Sequence, residues 1–98
     1  MSELEDEIRS LREKTAENRR TFLRTEVQTC FISLEMGKAA LTHGDIIMAE
    51  KEACIAERGM ATIERFLAQA PESKSEIEAR LAALRELLTS LQAEIQGV

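Results

Sequence analysis

Residues 42–45 read Thr42-His43-Gly44-Asp45, and this short stretch decides the fold. Upstream of it, Leu23, Val27, Cys30, Leu34, Gly37 and Leu41 recur at intervals of four and three, which is one face of a helix. Downstream, Ala49, Ala53, Ala56, Met60, Ile63 and Leu67 repeat the pattern. Gly44 most easily takes the left-handed conformation that ends a helix. Asp45 is a strong N-cap, because its carboxylate accepts from the free amides of the turn that follows. A stop signal touching a start signal leaves almost no loop, so the two helices must run antiparallel and pack together. The facing residues are small, above all Gly37 and the alanines, which predicts a close hairpin.

Working back, no Gly or Pro precedes Gly37, and Ser2-Glu3-Leu4-Glu5 has the form of a capping box. One helix is expected over about residues 3–42, with Thr15–Asn18 as the place where it could break. Along it runs a second four-three stripe: Leu4, Ile8, Leu11, Thr15, Asn18, Phe22, Thr25, Thr29, Ile32 and Met36. Working forward, a second helix is expected over about 46–69, with a second apolar line of Met48, Ile55, Gly59 and Phe66 that suits a middle helix touching two neighbours. Pro71 disfavours helix at the residue before it. Ser73-Lys74-Ser75-Glu76 is another capping box. A third helix over about 73–95 then carries Ile77, Leu81, Leu84, Leu88, Leu91 and Ile95, widened by Leu87, with Glu76 and Arg80 as a supporting i,i+4 pair. The expectation is an all-α, three-helix antiparallel bundle in a single domain, 1–98. Because the second and third helices match only the later part of the first, residues 1–17 become a helical overhang of roughly 20 Å.

Composition agrees with long helices and few loops: 32% charged residues, 3% aromatic, one proline. The acidic start is unlike a signal peptide, and no stretch approaches a membrane span. The chain reads as soluble and cytoplasmic, with Cys30 and Cys54 as reduced thiols. The net charge of −5 argues against nucleic acid as the main partner. The charge is unevenly spread, however. Residues 3–7 hold Glu3, Glu5, Asp6 and Glu7, whereas Arg9, Arg12, Lys14, Arg19, Arg20 and Arg24 follow against only Glu13 and Glu17. An antiparallel copy of this helix would place the acids near the bases.

Residues 33–61 resemble a single tetratricopeptide-repeat hairpin, with the small and turn positions falling on Gly37, Gly44-Asp45, Ala49 and Ala56, and Met36 in place of the family's Leu. The family's large aromatics are replaced by Ser33, Ala40 and Ala53, and Ala61 stands where the repeat ends in Pro. The resemblance implies a helical hairpin and a protein-binding role, although one repeat cannot form the family's concave groove.

Site chemistry is sparse. His43 is the only histidine and sits in the turn, with no ligand at metal spacing. Glu50, Glu57 and Glu64 share a face but lack the Glu-x-x-His motifs of a di-metal bundle. No phosphate-cradling glycine loop or nucleophile elbow is present. The reading is therefore a non-enzymatic interaction or structural protein without cofactor or metal, self-associating as a homodimer through its helices. The candidate interface is Leu4, Ile8, Leu11, Phe22, Met48, Ile55 and Phe66. The alternative is an adaptor that binds a different protein through the N-terminal helix or the hairpin surface. Nucleic-acid binding through Arg9–Arg24 ranks third.

Overall fold

The computed structural model describes residues 3–97, and they fold as three packed α-helices. The first, α1 (Glu3–Thr42), is 40 residues long and unbroken. At Thr15, where the sequence allowed a break, the hydroxyl donates to the Leu11 carbonyl 2.8 Å away and the helix continues. Ser2, the first residue of the expected capping box, lies outside the described residues.

The turn forms as its sequence dictates. Gly44 has φ 80°, which an L side chain adopts only with strain. The Asp45 amide donates to the Ala40 carbonyl (2.8 Å) and the Gly44 amide to Leu41 (3.0 Å), closing a Schellman motif. The Asp45 carboxylate then accepts from the Met48 amide (3.0 Å) and starts α2 (Ile46–Leu67). One aspartate thus completes the end of one helix and caps the next.

The second connection departs from expectation. Pro71–Ser73 form a single 3₁₀ turn before α3 (Lys74–Gln96), and no side-chain cap bond forms at Ser73. The Ser73 hydroxyl is buried without a hydrogen-bond partner. The capping box does not form: the Ser73 amide already donates to the Ala70 carbonyl at 3.0 Å, and the Glu76 carboxylate pairs with Arg24 of α1. The same contact displaces the expected Glu76–Arg80 pair, leaving Arg80 only a favourable field at that carboxylate.

The core is the set of stripes legible in the sequence. Leu23, Val27, Cys30 and Leu34 of α1 meet Ala53, Ala56, Met60 and Ile63 of α2, and Ile77, Leu81, Leu84, Leu88 and Leu91 of α3. Leu87 does not widen it; that side chain is exposed. Gly37 and Gly59 mark the closest helix approaches. A Cβ at Gly37 would stand 2.8 Å from Leu91 Cδ2 and 3.3 Å from Glu52 Cβ, and one at Gly59 would stand 2.5 Å from Cys30 Sγ. Gly59 therefore belongs to the hairpin interface, not to an outer apolar line.

The molecule measures 65 × 18 × 15 Å with a radius of gyration of 17.6 Å, against about 13 Å for a compact 100-residue domain. No helix of the described residues is long and apolar enough to cross a membrane.

Candidate interaction face

Packing on the bundle begins near Arg19. Every residue from 3 to 15 is exposed. At 1.5 Å per residue this arm reaches about 20 Å beyond the bundle. Its apolar residues are not scattered. Leu4, Ile8 and Leu11 share one stripe, and their exposures are 63%, 41% and 63%. At 100° per residue that stripe continues down α1 to Phe22, on the side opposite the residues that meet α3. There Phe22 meets Phe66 of α2 edge to face, ring centroids 5.1 Å apart, with the Arg65 guanidinium 5.5 Å from the Phe66 ring.

Phe22 and Phe66 are thus brought together, while Met48 and Ile55 lie further along α2 towards the turn, half exposed. The expectation that this second line of α2 would contact the third helix is not met. The line instead borders α1, through Gly59 at Cys30 and Phe66 at Phe22, and leaves Met48 and Ile55 half exposed. The sequence reading overlooked two features of this region. Ile47, 82% exposed, is the most exposed large apolar residue of the described chain. Glu52 is buried, one turn from Met48 and Ile55. Its place at four-three spacing between them was the available signal.

The basic run is used differently from a phosphate-binding surface. Arg24 grips Glu76 with both ends of its guanidinium, Nε to Oε1 at 2.7 Å and Nη2 to Oε2 at 3.1 Å. Arg19 Nη2 lies 3.3 Å from Glu72 Oε1. The Glu76 carboxyl is held below the usual carboxylate range first by the hydrogen bond from Arg24. Glu72 is lowered first by its own backbone amide and then by Arg19. Two of the six bases therefore fasten α1 to the second connection and to the start of α3. Arg9, Arg12 and Lys14 lie on the arm.

The thiols differ. Cys30 is buried and its Sγ donates to the Ala56 carbonyl at 3.7 Å. Burial pushes that thiol up, and Glu26 adds to the effect. Cys54 is exposed and borders a shallow polar depression with Glu50, Glu57 and Gln92. His43 is exposed in the turn. Glu64 is paired with Arg85 of α3. Among the described residues no group of three His, Cys, Asp or Glu is placed to hold a metal ion.

The fold and this face define a three-helix bundle with an amphipathic helical arm. Comparison with protein-family models, curated proteins and solved structures finds no match.

Proposed function

We propose that the protein is a non-enzymatic helical interaction protein that self-associates, with α1 as the assembly element. The single observation that carries this is the arm: a helix with Leu4, Ile8 and Leu11 on one stripe, all three left exposed among the described residues. An isolated amphipathic helix of this length is marginal in water, so most of its stability must come from burial of that stripe. The surface area supports the same reading. The chain exposes 6781 Å², roughly 1,200 Å² more than a compact monomer of its mass. A standard interface buries about 800 Å² per partner.

Solution mass by light scattering tests it. The full chain should approach twice the chain mass as concentration rises through the micromolar range. A Leu4→Ser, Ile8→Ser, Leu11→Ser variant and a chain lacking residues 1–17 should both stay folded monomers. A full chain that remains monomeric refutes the proposal.

Met48, Ile55 and Ile47, exposed along α2, favour a second reading, an adaptor for a different protein. It predicts a monomer that captures a specific partner through α1 or the hairpin. Nucleic-acid binding through Arg9–Arg24 loses support because Arg19 and Arg24 are engaged with Glu72 and Glu76.

A further inference from the structure

The charges flanking the arm's apolar stripe specify how two arms would meet. Along α1 the stripe positions are Leu4, Ile8, Leu11 and Thr15. On one side of it stand Glu5 and Arg12, on the other Glu7 and Lys14. These are the positions that face each other across the seam of a two-stranded coiled coil.

The geometry points to an antiparallel pairing of the arm with the arm of a second copy, in the register where Ile8 faces Leu11 and Leu4 faces Thr15. This inference rests on the self-association proposed above and adds orientation and register to it. In this register Glu5 stands beside the partner's Arg12 and Glu7 beside the partner's Lys14. The two-fold axis repeats both contacts, so all four flanking pairs attract. A parallel pairing keeps Glu7 near Arg12 but sets Lys14 beside Arg19, like against like, and brings the acidic residues 3–7 of both chains together. Other antiparallel registers fare worse. Sliding the arms by one heptad sets Arg12 against Arg12 and Lys14 against Lys14.

The exposed stretch of α1, residues 3–15, agrees with the same register. With Ile8 opposite Leu11, residue 3 of one chain lies level with residue 16 of the other. Residue 16 is where α1 becomes half-buried, and Arg19, one turn on, is tied to Glu72. Each arm then covers the other over the described exposed residues 3–15. The result is two bundles at opposite ends of a short central coiled coil. Two heptads make a short seam, so the association should be weak and strongly salt-dependent.

Cysteine cross-linking tests the register in the full-length protein. Leu4→Cys and Thr15→Cys are made separately in a Cys54→Ser chain, with Cys30 left buried. Both positions are exposed and outside the core, and thermal melting confirms that each variant folds. In the inferred register residues 4 and 15 of different chains come within disulfide reach, whereas residue 4 lies about 16 Å along the axis from its own counterpart. Under mild oxidation the mixture should form covalent dimer at least tenfold faster than either variant alone. Raising salt from 0.05 M to 0.5 M should slow that cross-linking several-fold. Efficient cross-linking of Leu4→Cys with itself means a parallel pair and overturns the inference. A dimer by light scattering with no cross-link in the mixture places the interface elsewhere and overturns it while sparing self-association. A monomeric full chain overturns both.

Discussion

At the residue scale, a glycine and a cysteine set how closely α1 and α2 approach. Gly59 faces Cys30 so closely that a methyl group there would meet the sulfur at 2.5 Å. Gly59→Ala should therefore destabilise the fold by about 1–3 kcal/mol through overpacking. In a Cys30→Ala background the clash is gone, and the same change should instead stabilise by up to about 1 kcal/mol from helix propensity. Urea unfolding of the four proteins of this cycle measures the coupling, and equal effects in both backgrounds would show that the contact carries no strain. The same packing separates the thiols. Cys54, exposed, should react with an alkylating reagent in the native protein, while Cys30, buried and with its thiol pushed up, should react only in denaturant. Mass spectrometry should count one adduct natively and two after unfolding. The Gly59–Cys30 contact was not legible beforehand, because 3.6-residue periodicity places a residue on a face to within tens of degrees and does not fix which atoms touch.

At the element scale, α3 is fastened to α1 by an apolar seam and by Arg24–Glu76, and the 3₁₀ turn before it by Arg19–Glu72. Both carboxyls sit below their ordinary range, about 4.3 for glutamate. A lowered folded-state pKa contributes stability that is present above the unfolded value and lost as pH falls through the folded one. The pairs are exposed to solvent, so the effect is modest. Thermal unfolding between pH 7 and pH 3 should show an Arg19→Gln, Arg24→Gln variant melting below the parent at neutral pH, with the gap closing below about pH 4. A gap that persists at pH 3 would locate the loss in packing of the arginine stems. The stripes of α3 were legible in the sequence because large aliphatics recur without interruption from Ile77 to Leu91. Its start at Ser73 was legible as well, but the pairing of Glu76 with Arg24 was not, because it arises only when α1 lies alongside.

At the scale of the whole molecule, a 40-residue helix paired with helices of 22 and 23 residues must leave part of itself uncovered. The core begins at Leu23, so the arm is outside the cooperative unit. Loss of residues 1–17 is expected to abolish the dimer in light scattering while changing the melting temperature of the remaining monomer little. The elongated 65 Å shape and the excess surface are both consequences of that overhang. Of the seven residues that the sequence marked as an interface, Leu4, Ile8, Leu11 and Phe22 lie on one line of α1, and Phe66 joins them through the aromatic contact. Met48 and Ile55 lie apart, nearer the turn.

The sequence by itself determined the turn, the three helices and the core. Each rests on local physics: a glycine that tolerates positive φ, an aspartate that caps, a proline that interrupts, and apolar residues at helical spacing. Tertiary structure alone decided which arginines of α1 are engaged, which side of α2 faces solvent, and that Glu76 pairs with Arg24. Those outcomes depend on the rotation of each helix about its axis. They depend also on pairings between residues 52 and 53 positions apart, which no local pattern encodes.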